Sequence, residues 1–274
     1  MKQLTGLDAS FLYMETASTF GHVNAVGLYR RPDDPDYEPY EAFKAQVESR
    51  LHLLEPFRRR LVEVPLGLDH PYWINDPDFD LEFHVRHIAV PPPGDLHQLA
   101  TQVARFIGRP MDRTKPLWEA YVMEGLPDDH FAIFTKTHHA TIDGAAGVVM
   151  LSLLLDHTRE GDEIPPDDGS WRPEPIPSDL ELLQRTFGSY LQRPYRLARF
   201  QLNTAQQIAE LTRSRGLQNL LAGFRQQLPP PWNGATNDQE LPSLPAVRAP
   251  RTPFNGAITP HRRLSMGSVP LSHI

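Results

Sequence analysis

At 274 residues the chain has room for one large domain or two small ones, and its 40% apolar content is that of a globular protein with a sizeable core. It contains no cysteine, which excludes disulfides, thiolate nucleophiles and cysteine-ligated zinc or iron–sulfur centres. A formal net charge of −7 excludes the basic footprint of a general nucleic-acid binder, so no nucleic acid is expected as a partner.

The N-terminal twenty residues carry Asp8 and Glu15 and lack the continuous apolar stretch of an export signal. The longest apolar run, Gly144 to Leu155, is too short to cross a bilayer, and a cytoplasmic location is expected. From His22 to Tyr29 the pattern reads as a strand. Tyr40 to Leu54 has helical spacing, with Phe43, Val47, Leu51 and Leu54 on one face. Leu61 to Val64 and Tyr72 to Ile74 are short strand candidates, and Leu81 to Val90 alternates as a half-buried strand does. Asp95 is placed to cap a helix reaching Ile107. Leu117 to Met123 and Phe131 to Thr137 read as strands joined by a polar turn, and Ala145 to Leu155 as a buried helix. Alternating elements of this kind indicate a mixed α/β domain with helices packed on a sheet.

After Asp156 the character changes. Residues 160–180 are acidic and hold five prolines, which rules out regular structure there. From Gln184 to Gln227 seven arginines face one acidic residue, Glu210, and apolar positions such as Phe187, Leu191 and Ile208 recur at helical spacing. Such a basic amphipathic span suits either an anionic membrane or lipid-droplet surface, or packing against a further domain. Pro229 to Pro260 holds eight prolines and reads as an extended connector, and Arg262 to Gly267 reads as the start of a new strand.

The chemistry is concentrated in Thr137-His138-His139-Ala140-Thr141-Ile142-Asp143-Gly144, where two histidines end a strand and a carboxylate and glycine open the next helix. Histidine suits proton abstraction near neutral pH. Strand alternation lets only one of His138 and His139 enter a given pocket, leaving the other structural. Asp143 fits three roles: fixing an imidazole's tautomer, pinning the loop to an arginine, or capping the helix. The spacing is not that of a zinc site, and no metal is expected. Trp118 in Pro116-Leu117-Trp118-Glu119 reads as core rather than site.

The cluster matches the HHxxxDG motif of the CoA-dependent acyltransferase superfamily, which includes chloramphenicol acetyltransferases and condensation domains. Leu4 to Thr16, Pro116 to Leu126 and Ala249 to Arg263 further resemble the bacterial wax ester synthase/acyl-CoA:diacylglycerol acyltransferase family. The resemblance implies a chloramphenicol acetyltransferase-like mixed sheet flanked by helices. It divides the chain into an acyltransferase-like domain at 1–178, basic connector helices at 179–228, and at 229–274 a crossover with the first strand of an absent C-terminal domain. It implies His139 as general base, Asp143 as an architectural or orienting residue, His138 in support, and Gly144 giving room for substrate. Acyl-CoA would be a co-substrate with no bound cofactor, and the acceptor a diacylglycerol or long-chain alcohol. Further expected partners are the missing domain or a complementary chain, and a peripheral contact with the inner membrane face or lipid droplets. Two alternatives stand beside this: another HHxxxDG acyltransferase of polyketide-associated or condensation type, and an inactive half-protein that binds lipid surfaces or a complementary chain.

Overall fold

The computed structural model describes residues 1–142, 144–156, 158, 161–190, 252 and 256–273. The chain divides into two compact units, Met1–Leu182 with Ala257–Ile274, and Leu183–Gly256. A helix runs over 179–190. The remainder of the expected connector helices, from 191 to 228, and most of the proline-rich crossover lie outside the described residues.

The first unit is built on two sheets. The larger contains β2 (His22–Arg30), β5 (Val85–Ala89), β6 (Trp118–Glu124) and β7 (His130–His138), in the order β2-β7-β6-β5. β7 pairs antiparallel with both β2 and β6, whereas β5 and β6 run parallel, so the sheet is mixed as expected. The smaller sheet joins β1 (Lys2–Gln3), β3 (Arg59–Val62) and β4 (Tyr72–Asn75) in the order β1-β4-β3.

Helices cover both faces of the larger sheet. On one side α4 (Leu96–Ile107) lays Leu99, Val103 and Phe106 against Tyr121, Met123 and Phe134. Each such side chain contributes about 1.5–3 kcal/mol by burial. Asp95 caps α4 by accepting from the Gln98 N–H at 2.8 Å, as its position in the sequence predicts. On the other side α2 (Pro39–Arg50) and α5 (Gly144–Leu154) pack Phe43, Val47, Met150 and Leu154 over Trp118, Val122 and Ile133. Gln46 of α2 donates to the Leu154 carbonyl at 2.9 Å, and Arg50 pairs with Asp156, fixing the far end of α5. In the acidic stretch after α5, residues 161–178 form no regular structure, as expected, whereas 179 and 180 already belong to the helix that follows. Glu174 takes the Asn75 N–H at 2.9 Å and pairs with the Met1 amino group, strapping the segment to the smaller sheet.

Three expectations change. Leu81 to Val90 is not one strand: Leu81–His84 makes a helical turn, α3, and only then does β5 begin. Asp80 caps that turn by accepting from Glu82 N at 3.0 Å, and the turn places the fully buried His84 between Phe79 and Trp118. Trp118 stacks in turn on Phe57 at 4.3 Å and donates to the Phe57 carbonyl, a core role as read from the sequence. Second, α5 is not buried all round, since Val148 and Leu151 are 66% and 48% exposed. Third, residues 262–267, expected to open a further domain as its first strand, carry no strand among the described residues. The segment has no ladder partner among the described residues, and extended backbone becomes a strand only by pairing. Met266 instead packs beside the α4 core.

His84 donates through Nδ1 to the Trp118 carbonyl at 2.7 Å, and burial drives its pKa down from 6.5 to about 4. It is therefore neutral when folded and takes up a proton only on unfolding once pH falls below about 6.5, so stability declines with acidification and levels off near pH 4. Replacing His84 by Asn preserves a donor to Trp118 and should reduce the acid-side slope of unfolding free energy by up to about one proton. Urea unfolding between pH 4 and 7 measures this, and an unchanged slope would place the uptake elsewhere.

Candidate functional site

The two histidines leave the end of β7 on opposite sides of the sheet, because successive strand residues alternate. His138 shares the α4 side with Lys136, while His139 shares the α2/α5 side with Thr137 and Thr135. What surrounds each imidazole then separates their roles.

His138 is hydrogen-bonded through one nitrogen, sets the other close to a carboxylate, and is only 2% exposed. Its Nδ1 accepts from the Ala140 N–H at 3.0 Å, which puts the proton of the neutral ring on Nε2. That nitrogen lies 3.1 Å from Glu15 Oε1. Burial lowers the His138 pKa, and the Glu15 carboxylate only partly offsets it. The facing residue across the β2–β7 ladder is His22, whose pKa burial pushes down to about 3, with Lys136 adding to the effect. The α4 side at this end of the sheet thus keeps its imidazoles neutral.

Glu15 lies just beyond α1 (Gly6–Tyr13), a helix that Thr5 caps by accepting from the Asp8 N–H at 3.1 Å. Besides facing His138, Oε1 accepts the Gly21 N–H at 2.8 Å, and Oε2 accepts from Arg113 at 2.8 Å. Burial works to raise the Glu15 pKa, but the Arg113 guanidinium and the Gly21 N–H outweigh it and hold the carboxyl below its ordinary value. Arg113 also reaches the Leu12 carbonyl at 3.0 Å and Glu63 at 2.9 Å, so it ties down the end of α1.

His139 is placed differently. Its backbone N–H donates to the Gly21 carbonyl at 2.7 Å, and its ring lies flat on Phe11 of α1, with centroids 4.4 Å apart and planes within 8°. Nδ1 is enclosed with no hydrogen-bond partner, while Nε2 is not enclosed and makes no hydrogen bond among the described residues. The side chain lines a cavity of about 350 Å³ bounded by Val23, Ala25, Phe57, Ile142 and Leu151, with Thr135 and Thr137 on its floor. A hydroxyl-bearing molecule with a long apolar tail fits such surroundings: the tail is covered by hydrocarbon and the hydroxyl meets a ring nitrogen with no other partner.

Of the residues singled out from the sequence, His138 and His139 come together at one strand end and both border the cavity, His139 with its ring stacked on Phe11 and His138 with Nε2 turned toward Glu15. Gly144 opens α5, one turn before Gly147, which lines the cavity. Asp143 lies outside the described residues. Among the described residues no group of three or more His, Asp or Glu side chains is placed to hold a metal ion. Phe11, Glu15, His22 and Arg113 were not picked out by motif. Their available signal is positional: Phe11 and Glu15 both fall in the Leu4–Thr16 segment that carries part of the family resemblance.

Gly21 is closely packed against the His138 ring. A Cβ there would lie 3.2 Å from both Cε1 and Nε2 of His138 and 3.4 Å from the Phe11 carbonyl. The His138 ring is held by Ala140 and Glu15 and cannot yield freely. Gly21→Ala should therefore cost about 1–3 kcal/mol. Glu15→Gln, which removes the charge shared by Arg113 and His138, should cost about 1–3 kcal/mol. Denaturant midpoints of both variants check this, and wild-type values would deny the carboxylate its organising role.

The profile of the wax ester synthase/diacylglycerol acyltransferase catalytic domain matches residues 4–274. A probable diacylglycerol O-acyltransferase of Mycobacterium tuberculosis H37Rv, tgs3, is 40% identical over 192 residues, 70% of this chain and 69% of that protein. A second protein of that strain, also named a diacylglycerol O-acyltransferase, is 32% identical over 275 residues and covers 100% of this chain, which spans 54% of it. Among solved structures, the wax ester synthase/diacylglycerol acyltransferase from Marinobacter aquaeolei VT8 superposes with a TM-score of 0.51 at 32% identity, covering 60% of this chain and 41% of that one. The chain thus spans about half the length of several proteins it matches. With a profile match over nearly its whole length, and with the paired histidines at a strand end beside an apolar cavity, the chain belongs to the wax ester synthase/diacylglycerol acyltransferase family.

Proposed function

We propose that the chain carries the general base of an acyl-CoA-dependent O-acyltransferase that forms triacylglycerol from diacylglycerol, wax ester from a long-chain alcohol, or both. The observation that carries this reading is the Nε2 of His139, without a hydrogen-bond partner and at the wall of an apolar cavity. An alcohol is far too weak an acid to ionise beforehand. Proton removal by His139 accompanies attack of the hydroxyl oxygen on the thioester carbonyl. The tetrahedral intermediate collapses, the carbon–sulfur bond breaks, and the proton held by the imidazole passes to the departing CoA thiolate. Transfer is direct, and the chain supplies neither a cysteine nor a G-x-S-x-G nucleophile elbow for a covalent acyl-enzyme.

In this scheme His138 is a positioning residue. Its hydrogen bond to Ala140 N shapes the turn that aims His139, and its ring fills the space between Glu15 and Gly21. Asp143 keeps its expected architectural role at the start of α5. The names of the relatives favour diacylglycerol as an acceptor. Among the described residues no helix is long and apolar enough to cross a membrane. Access to lipid acceptors therefore falls, in this reading, to peripheral contact through the basic span after residue 184.

The two histidines should respond oppositely to substitution. His139→Ala in the protein as it occurs should lower CoA release from palmitoyl-CoA, with dipalmitoylglycerol or hexadecanol as acceptor, by about 10²–10⁴-fold while leaving the unfolding midpoint nearly unchanged. His138→Ala should lower the midpoint first, because it strips Glu15 of a partner and opens a cavity in the polar layer. Full transfer activity in His139→Ala would falsify the assignment.

A further inference from the structure

A second cavity, of about 460 Å³, lies between the end of α4 and the returning segment near residue 260. Arg105, Arg109, His261 and Arg262 line it, together with Gly108 and Pro260, and no carboxylate does. Among the described residues Arg105 and Arg109 make no ion pair, and Arg262 donates to the backbone carbonyls of Thr259 and Ser18. Three guanidiniums brought to one hollow without a carboxylate make a locally positive site, suited to an anion, in a chain whose net charge is −7.

The end of a helix normally opposes anion binding, because its free carbonyls carry partial negative charge. Here the buried ammonium of Lys136 answers that charge. Nζ donates to the carbonyls of Phe106 at 3.1 Å and Arg109 at 2.6 Å. The cavity also lies at the same end of the sheet as the site already described. Lys136 precedes His138 by two residues on β7, so the hollow sits at the histidine end of the sheet. Arg262 holds the Ser18 carbonyl at 2.6 Å, in the same loop whose Gly21 carbonyl accepts the His139 N–H.

We propose that this cavity binds the phosphate-bearing end of the acyl-CoA donor. The inference rests on the acyl-CoA reading of the His139 site. The phosphates sit among Arg105, Arg109 and Arg262, and the extended pantetheine arm runs past the 16–21 loop and around the strand end, delivering the thioester to His139. The polar cavity thus holds the charged, water-soluble part of the donor on the α4 side of the sheet. The apolar cavity on the other side is left for hydrocarbon.

The side chains of Arg105 and Arg109 are exposed and make no hydrogen bond among the described residues, so replacing them by alanine tests binding without unfolding the chain. In equilibrium binding of CoA to the full chain, each replacement should weaken affinity about 10-fold, as expected for one lost charge-assisted contact, and the pair by more. Removing the 3′-phosphate of CoA should shrink the difference between wild type and the double variant. Transfer from palmitoyl-N-acetylcysteamine, a thioester without phosphate, should be the same in both. Unchanged CoA affinity in the double variant overturns the proposal. So does loss of binding to phosphatidylglycerol vesicles with CoA affinity retained, which would assign the cavity to a lipid headgroup. Arginine-dependent CoA binding without transfer from either donor would instead sink the transferase reading and leave this one standing.

Discussion

One carboxylate, that of Glu15, organises the histidine end of the sheet. It receives the Gly21 N–H and faces His138 Nε2 through one oxygen, and takes the Arg113 guanidinium through the other. A half-buried carboxylate with so many partners adds less net stability than its contacts suggest, since its desolvation must be offset first. Its importance lies in what would follow from removing it. Arg113, the Gly21 N–H and His138 would each lose a partner in surroundings that exclude water, and buried groups without partners are costly. The same contact fixes the end of α1, which carries Phe11 over the face of His139. A charge on one side of the sheet thus sets the ring plane of a residue on the other.

Strand alternation explains why two adjacent histidines can serve different ends. The α4 side of β7 presents Lys136 and His138 beneath a helix end, where Lys136 Nζ meets two carbonyls, His138 Nδ1 meets an N–H and His138 Nε2 lies beside a carboxylate. The opposite side presents threonines and His139 beneath α5, where the covering residues are aliphatic. A shift of one residue in the β2–β7 register would exchange these environments, putting His138 in hydrocarbon and His139 beside Glu15. The register is held by nine consecutive residue pairs between the two strands, His22 with His138 at one end and Arg30 with His130 at the other.

Much of this was legible in the residues themselves. The strands at 22, 118 and 130, the capped helix after Asp95 and the irregular acidic stretch all follow from local pattern and turn chemistry. The misread segments share a cause. In Leu81 to Val90 the alternation is genuine, but burial of His84 between two rings outweighs it. The apolar residues of α5 look like core because sequence records polarity and not which face is covered. At 262–267 the strand pattern lacks the neighbour that would complete it. The site was half legible. The histidines could be found by motif, whereas Glu15 and Arg113 meet across about a hundred positions of sequence through a contact no local pattern records.

In the proposed reaction the two substrates are selected by different physics, and this bears on why water does not simply hydrolyse the thioester. Water can present a hydroxyl to His139 but has no apolar surface to bury. An acceptor with an alkyl tail gains about 0.8 kcal/mol for each methylene covered by the α5 side of the cavity, so two methylenes are worth about tenfold in occupancy. The tail that fills the cavity also displaces water from it, which removes the competing nucleophile from the base. Donor selection carries no such term for its polar end, where only charge and hydrogen-bond geometry distinguish a phosphate from solvent anions. Keeping His138 and His22 neutral by burial serves the same division, because a charged imidazole behind β7 would draw counter-ions and water toward the strand end where the apolar cavity begins.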